Sequence, residues 1–529
     1  MRRRILLAGA TATGLVAGSA YFGLNSPVLR SSMAADRGSE LPIPPVLELN
    51  GEAPASLKAV HGRHEFFAGV ATPTLGFNQN YLGPVLRLQR GMVGRIKVDN
   101  QTAQPITAHW HGLHVDGVFD GGPQTAFDPG KSWSAELAVD QPAATLWYHS
   151  HVHGQTGSQV YHGLAGMMIV DDPSAGQSGL PDTYGFDDIP LIVQDRAFDT
   201  TGALVYGNRG PTMMHGFRAS EIVVNGAIRP SAGVPAGLVR LRILNASNAR
   251  IYHFSFEDQR EFYQVGSDAG LLARPVALKT LELAPAERAE IVVDFSNGQP
   301  VRLMSADDFN SPMGGGMGHG MGRGMGHGMG GGMRGGMGHG MGGPVARGDV
   351  LGSDAGQFEV MRFRVNSQVK TTVTKLPAAI AGAPKEPDWG KPERRVQLRL
   401  DMHTGGMGGM FGRMLRGGGM NAMGINGRSM DMNRIDWQFR RNEVQRWEVI
   451  SDQMAHPFHI HGTSFQVLTR NGSPVPYERT GMKDVVLVDG RVELLVRFTR
   501  GADATTPYMY HCHILEHEDA GMMGQFTVG

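Results

Sequence analysis

The sequence predicts an all-β protein built from β-sandwiches in series. Short segments rich in Val, Ile, Leu and aromatic residues recur from about residue 45 onward, for example Val93 to Val98 and Leu238 to Leu244. Turn-forming sequences such as Asp128-Pro129-Gly130 and Asn471-Gly472 separate these segments. Apolar residues form no long stripe at the helical spacing of 3.6 residues. Together these observations favour packed sheets over helical layers.

The length of the chain and two breaks in its pattern predict three domains. A chain of 529 residues is long enough for three or four domains of about 150 residues each. Breaks fall at Asp171-Asp172-Pro173 and in the Pro-rich stretch from Pro377 to Pro392. We therefore predict domains at residues 45–172, 173–376 and 390–529.

The N-terminus resembles an export signal. Three arginines, Arg2 to Arg4, precede an apolar run from Ile5 to about Leu24, and Ser32-Met33-Ala34 offers small residues at a cleavage-type position. We predict a twin-arginine-like signal over residues 1–34 and a periplasmic mature protein without a membrane span. The alternative is an uncleaved anchor, because the run nearly reaches the ~17 residues that a span needs.

The charge balance and cysteine content of the chain limit the kinds of partner and cross-link that it can have. The chain has 49 basic and 49 acidic residues, so it lacks the basic excess that usually accompanies nucleic-acid binding. We therefore predict no nucleic-acid partner. A single cysteine, Cys512, excludes an internal disulfide. Its thiol is either an inert buried group or chemically employed.

Methionine is concentrated in two Gly-rich segments. A methionine stands at every fourth position from Met313 to Met341, among His319, His327 and His339. Glycines cost about 1 kcal/mol each in a helix, so we predict a flexible loop over residues 313–342. A second Met-rich segment covers residues 402–432. Soft thioethers select Cu(I), which favours copper capture over the alternative of a low-complexity linker.

Histidine occurs as a His-X-His pair four times. Residues i and i+2 of a strand face the same side, so each pair presents two imidazoles in one direction. Two pairs near the start of the folded chain and two near its end predict a metal cluster shared between strands. The pairs are His109/His111, His149/His151, His459/His461 and His511/His513.

The one cysteine lies inside the last pair and therefore points away from its flanking histidines. His456, His517 and Met522 lie close to these motifs in sequence. A thiolate, two imidazoles and a weak thioether are the ligand set of a blue electron-transfer copper. Zinc would be satisfied by three or four of these ligands and has no redox use for the others. The alternative of Cys512 as a small buried hydrophobic residue leaves its neighbours unexplained.

Four stretches carry these residues: His109-Trp110-His111-Gly112, Trp147-Tyr148-His149-Ser150-His151, His456-Pro457-Phe458-His459-Ile460-His461-Gly462, and His511-Cys512-His513 through His517 to Met522. They resemble the copper motifs of the multicopper oxidases, and most closely those of the bacterial periplasmic copper efflux (cuprous) oxidases, which are laccase-like. The likeness covers nearly the whole mature chain. It implies three cupredoxin-like Greek-key β-sandwich domains, a blue copper in the third and a three-copper cluster between the first and third.

The resemblance also implies a ligand set for four copper ions. The type 1 copper would take His456, Cys512, His517 and axial Met522, the type 2 copper His109 and His459, and the two type 3 coppers His111, His149, His151, His461, His511 and His513.

Reduction of O2 to two waters consumes four protons, and Asp120 and Glu518 match family acids that deliver them. A catalytic carboxylate must lie within hydrogen-bond reach of the reacting group. The alternatives are that Asp120 is a turn residue, in Phe119-Asp120-Gly121-Gly122, and that Glu518 is simply solvated.

The substrate is the least determined part. Met402, Asp452 and Met454 match a Cu(I)-docking site beside the blue copper, but Met407 stands where the family has a second acid. The first hypothesis is a monomeric cuprous oxidase that detoxifies copper, with O2 as acceptor. The second is a laccase-like oxidase of phenols. The third is a copper-free division-associated relative, which the presence of all twelve ligands disfavours.

Overall fold

The computed structural model describes residues 39–49, 53–173, 176–207, 211–306, 356–402 and 423–529. The predicted export signal, the repeat at residues 313–342 and positions 403–422 of the second Met-rich segment lie outside the described residues.

The first group of strands forms two sheets around one core. The five-stranded sheet has the order β1-β4-β9-β8-β6 and the four-stranded sheet the order β3-β2-β5-β7. Leu57 and Ile96 from the smaller sheet meet Leu86 and Leu146 from the larger one in a buried apolar cluster. The strands are β1 (Val46–Glu48), β2 (Ala55–Phe67), β3 (Val70–Phe77), β4 (Val85–Gln89), β5 (Val93–Gln101), β6 (His109–His111), β7 (Ser132–Ala138), β8 (Ala144–His149) and β9 (Ala165–Asp171).

The second group forms a seven-stranded sheet, β12-β11-β10-β14-β19-β16-β17, and a five-stranded sheet, β13-β21-β20-β15-β18. Leu191 and Leu241 of the larger sheet share a core with Phe254 and Leu303 of the smaller. The strands are β10 (Asp188–Arg196), β11 (Glu221–Val224), β12 (Ala227–Ile228), β13 (Ser231–Ala236), β14 (Leu238–Asn245), β15 (Tyr252–Phe256), β16 (Phe262–Ser267), β17 (Gly270–Leu278), β18 (Leu281–Leu283), β19 (Arg288–Asp294), β20 (Val301–Ala306) and β21 (Gln357–Lys370).

The third group is one nine-stranded sheet in which β24-β30-β29-β25-β28-β26-β27 follow in order, with β22 against β25 and β23 against β22. Trp447, Phe458 and Val486 are buried in its core. The strands are β22 (Arg394–Asp401), β23 (Gly424–Ile425), β24 (Trp437–Phe439), β25 (Val444–Ile460), β26 (Phe465–Arg470), β27 (Ser473–Pro474), β28 (Val485–Arg497), β29 (Tyr508–Cys512) and β30 (Met523–Val528).

In the described part of the chain, the helices are short and connect strands. They are α1 (Gly117–Asp120), α2 (Thr156–His162), α3 (Pro211–His215), α4 (Tyr477–Thr480) and α5 (Leu515–Asp519), with a 3-10 turn at Pro123–Thr125. Among the described ranges, no helix combines the length and apolar character needed to cross a membrane. The prediction of an all-β protein is confirmed.

The strand register brings the histidine motifs together in two pairs. Strands β6 and β8 are antiparallel, with His109 opposite His149. Strands β25 and β29 are antiparallel, with His459 opposite His511. Each hydrogen-bonded pair of strands therefore presents imidazoles from two distant parts of the chain on one surface.

Candidate metal centre

The two histidine surfaces face each other between the first and third groups of strands. The rings of His109 and His461 stack with centroids 3.9 Å apart, and those of His111 and His459 stack at 3.7 Å. All eight histidines of the four pairs are buried. We call this set the histidine cluster. It contains the eight residues that the sequence predicted to share a metal site.

Donor atoms in the histidine cluster are close enough to share metal ions. His461 Nε2 lies 3.1 Å from His511 Nε2, and His151 Nε2 lies 3.3 Å from the same atom. These three rings form one group of converging donors within 4.8 Å of one another. His109 joins His459 and His461 in a second group. A buried nitrogen lone pair without a partner costs free energy, so these converging nitrogens favour a bound metal ion.

Hydrogen bonds on the far side of each ring aim the other nitrogen inward. The Nδ1–H of His109 donates to the Asp120 carbonyl (2.8 Å), that of His459 to the Asp484 carbonyl (2.7 Å), and that of His149 to the Ser150 carbonyl (2.9 Å). The Nε2 atom of each of these three rings is buried and has no hydrogen-bond partner among the described residues. This is the arrangement of metal-binding histidines, in which an outer partner fixes the tautomer.

Burial keeps the imidazoles in the form that binds metal. Burial lowers the pKa of His149 to about 3, and neighbouring rings add to the effect. The pKa values of His111, His459 and His513 are lowered well below the usual range, first by burial and then by adjacent histidines. Neutral imidazole is the form that binds metal, so protons compete little with a metal ion for these four rings near neutral pH.

A second donor set lies on the opposite face of β29. Cys512 Sγ is 3.3 Å from His456 Nδ1 and 3.8 Å from His517 Nδ1, and the two nitrogens are 3.2 Å apart. Met522 is buried in the same apolar cluster as Cys512. Burial raises the pKa of the Cys512 thiol, so a bound metal would have to displace its proton. One thiolate and two imidazoles in a triangle suit a blue copper.

Strand alternation places the two donor sets on opposite faces of β29, only a few covalent bonds apart. His511 and Cys512 are consecutive on β29, yet His511 contacts the histidine cluster and Cys512 contacts His456 and His517. Period-two alternation of side chains produces this division. The chain therefore provides a short covalent link between the two sites.

Asp120 is buried beside the histidine cluster and contacts two of its rings. Its Oδ2 accepts a 2.7 Å hydrogen bond from His461 Nδ1–H, and its carbonyl accepts from His109. Its Oδ1 is buried and has no partner in the described part of the chain. Asp120 does lie in a turn, at the end of α1, but its carboxylate also contacts a ring of the histidine cluster.

Glu518 also faces the histidine cluster. Its Oε2 lies 3.1 Å from His511 Nδ1 and its Oε1 lies 3.4 Å from His151 Nδ1. The side chain is fully buried, which excludes the alternative of a simply solvated carboxylate. Its helix α5 also carries His517, so both donor sets depend on one short element.

The structure brings together only two of the three predicted substrate residues. Met402 and Met454 are buried in the apolar cluster that contains Cys512 and Met522. Asp452 is exposed and forms an ion pair with Arg399, a residue that the sequence did not single out. The two thioethers are therefore buried in the core that also contains Cys512, while the carboxylate is exposed and paired with a cation.

Sequence reasoning missed the acids that anchor these elements. Glu516, in α5, accepts hydrogen bonds from Tyr206 Oη (2.9 Å), the Phe217 backbone N–H (2.9 Å) and Asn248 Nδ2 (2.8 Å). Burial raises the pKa of Glu516 to about 7, and these bonds oppose the rise. Asp484 was missed as well. Glu516 lies within the last histidine motif but not at a donor position, and Asp484 lies in no motif. The partners of both acids lie far away in sequence, so no local signal assigns them a role.

Comparisons with known proteins agree with this geometry. Residues 59–175 and 394–529 match two family models, both described as multicopper oxidase. A bacterial laccase-like multicopper oxidase, CueO from the lignin-degrading Ochrobactrum sp., is 36% identical with a TM-score of 0.78, over 92% of this chain and 100% of that one.

Two curated proteins are similar over most of their length. The multicopper oxidase Mco of Staphylococcus aureus is 31% identical over 93% of this chain and 92% of its own. The cell division protein FtsP of Xenorhabdus nematophila is 33% identical over the same two shares, 93% and 92%. The fold and the donor sets define a copper-binding oxidoreductase with cupredoxin-type sheets. The chain belongs to the multicopper oxidase family.

Proposed function

We propose that this protein couples the one-electron oxidation of Cu(I) to the four-electron reduction of O2. Four Cu(I), one O2 and four protons would yield four Cu(II) and two waters. The observation that carries the proposal is the burial of Met402 and Met454 in the cluster that also holds Cys512 and Met522. Thioethers are soft ligands that favour Cu(I), so these two side chains suit a cuprous substrate.

We assign four coppers to the two donor sets. Bound copper would supply electron transfer at the Cys512 site and O2 reduction at the histidine cluster. The type 1 site comprises His456, Cys512, His517 and Met522; the type 2 site His109 and His459; the type 3 sites His111, His149, His151, His461, His511 and His513. Their burial, together with the orphaned nitrogens of His109, His149 and His459, supports this assignment.

Asp120 and Glu518 would supply protons to the histidine cluster. Each carboxylate contacts at least one cluster imidazole from outside, and Asp120 retains a free oxygen among the described contacts. A carboxylate within one hydrogen bond of the site can relay protons to a buried reaction centre.

We propose three domains, at residues 45–172, 173–376 and 390–529, in a monomer exported to the periplasm. There the methionines of residues 313–342 would capture Cu(I). Oxidation of Cu(I) in this compartment would detoxify copper.

The second candidate function is the oxidation of phenols. It is favoured by the 36% identity to an oxidase described as active towards lignin model compounds and lignosulfonate. A bulky phenol would need an open apolar pocket near His456 or His517. The similarity to a cell division protein favours neither substrate, and a structural role would leave the two buried donor sets without a purpose.

Met454→Leu combined with Asp452→Asn separates the two candidates. The pair removes the soft sulfur and the carboxylate while keeping side-chain volume, so the buried core keeps its packing. We expect kcat/KM for Cu(I) to fall at least about tenfold, or about 1.4 kcal/mol. Oxidation of a small phenol without added copper should change little. Steady-state assays with both substrates measure this.

Arg399→Gln is the matched variant, and we expect it to have the opposite effect on the oxidation of Cu(I). It frees Asp452 from its ion pair, which at an exposed position is worth only about 0–1 kcal/mol. We expect KM for Cu(I) to fall by up to a few-fold. Equal losses of Cu(I) and phenol oxidation in the double variant would contradict the docking role. An unchanged Cu(I) rate would place the cuprous site elsewhere.

A further inference from the structure

We propose that Asp484, locked in place by Arg288, is a positioning residue for two histidines of the cluster at once. This rests on the proposed ligand roles of His111 and His459. The Asp484 carbonyl accepts a 2.7 Å hydrogen bond from His459 Nδ1–H, and its Oδ1 lies 3.2 Å from His111 Nε2. The two rings stack at 3.7 Å. One residue thus orients a ring from the first group of strands and a ring from the third.

These contacts leave one nitrogen of each ring for metal. His459 Nε2 and His111 Nδ1 are buried and have no hydrogen-bond partner within the described ranges. His111 therefore points the opposite ring nitrogen inward from His459. The side chain of Asp484 accounts for this difference, because it occupies Nε2 of His111 while its main chain occupies Nδ1 of His459.

Arg288 holds Asp484 with no freedom to rotate. Its two Nη atoms each donate to one Asp484 oxygen at 2.6 Å. The other donors reach main-chain carbonyls: Nε to Thr145 (3.0 Å), Nη1 to Ala286 (3.0 Å) and Nη2 to Asp268 (2.8 Å). All five guanidinium N–H groups are used, and the side chain is fully buried. A bidentate pair with this support is among the most directional contacts a protein makes.

The same guanidinium joins all three groups of strands. Arg288 begins β19 of the second group, Thr145 lies in β8 beside the His149 motif, and Asp484 immediately precedes β28 of the third group. The second group contributes no member of the four His-X-His pairs. Through Arg288 it nevertheless contacts both the strand that carries His149 and the residue that orients His111 and His459.

Gly112 independently indicates that Asp484 and Arg288 need the space next to His111. It directly follows His111 and has a φ of +86°. A Cβ at this position would lie 2.4 Å from Asp484 Oδ2 and 3.0 Å from Arg288 Nη2. Glycine is required both by the left-handed backbone and by the close approach of the two side chains.

Further charged side chains surround Arg288 and Asp484. Lys483 Nζ lies 2.9 Å from Asp268 Oδ2 and 3.1 Å from Glu287 Oε1. With Arg288 and Asp484, this buried network combines two cations with three carboxylates. These ion pairs hold Arg288 and Asp484 in place beside the histidine cluster.

Asp484→Asn tests the proposal. It keeps the carbonyl that His459 uses and removes the anion that His111 and Arg288 share. We expect the copper affinity of the histidine cluster to fall about 10- to 100-fold, as for other outer partners of ligating histidines. The blue absorption should keep its full intensity, because the Cys512 site is untouched. Chelator competition during reconstitution of the apo-protein, with EPR of the non-blue copper, measures both.

Asp268→Asn is the matched control. It removes one carboxylate charge from the same network, but Asp268 contacts no histidine of the cluster. We expect a loss of thermal stability with copper affinity unchanged. Equal copper affinities in the two variants, or a blue absorption that falls together with the other coppers, would overturn the proposal.

If Asp484→Asn does not fold, Gly112→Ala separates the pair without changing a charge. The same selective loss of non-blue copper is then expected, and full copper retention in a folded Gly112→Ala protein would overturn the proposal. Copper content is independent of whether Cu(I) or a phenol is the substrate. An error in the ligand assignment would already appear in the copper content of the parent protein.

Discussion

Replacing Cys512 with Ser is expected to abolish both the blue absorption and oxidase turnover. The serine hydroxyl does not ionise near neutral pH and is a poor soft ligand, so the thiolate contribution to the copper site is lost. Cys512 also contacts His456 and His517 on one face of β29, while its neighbour His511 contacts the histidine cluster on the other. We expect the variant to retain the histidine-cluster copper while losing one copper per chain.

Absorption spectroscopy, copper analysis and turnover on both Cu(I) and a phenol measure this outcome. Met509→Leu, on the same strand, is the control because Met509 is a buried apolar residue outside both donor sets. It should stay blue and active. Substantial turnover by a copper-loaded Cys512→Ser protein would contradict the role of Cys512 in electron transfer.

Asp120→Asn is expected to slow reoxidation by O2 by about 100-fold or more, the usual contribution of a general acid. Asparagine still offers an oxygen to His461 Nδ1–H, so the orientation of that ring should survive. It has no exchangeable acid proton, so delivery to the histidine cluster should fail. Reduction of the blue site by substrate without O2 should keep its parent rate.

Stopped-flow measurement of the two half-reactions separates these effects. Glu518→Gln is the companion variant, because Glu518 contacts His511 and His151 from the other side of the cluster. If reduction and reoxidation slow equally in Asp120→Asn, or if copper is lost from the cluster, Asp120 supports the structure and does not deliver protons.

Local periodicity in the sequence was enough to predict the all-β fold and the grouping of the histidines. A strand alternates sides every residue, so His511 and Cys512 had to diverge wherever β29 lay. Four pairs with this spacing predict a cluster without knowledge of the sheet order. In the fold, His456 Nδ1 lies 3.3 Å from Cys512 Sγ, on the face of β29 opposite to His511.

Tertiary structure alone decided which groups surround these ligands. Asp120 meets His461 across 341 positions, and His111 meets Asp484 across 373. Such pairings depend on strand order and on the meeting of separate sheets, and they leave no periodic trace along the chain. The roles of Arg288 and Arg399 could not be predicted from the sequence for the same reason. The sequence by itself indicated which residues carry the donor groups. Only the fold determined which carboxylates and cations orient them, because a buried charge is stable only where its partners surround it.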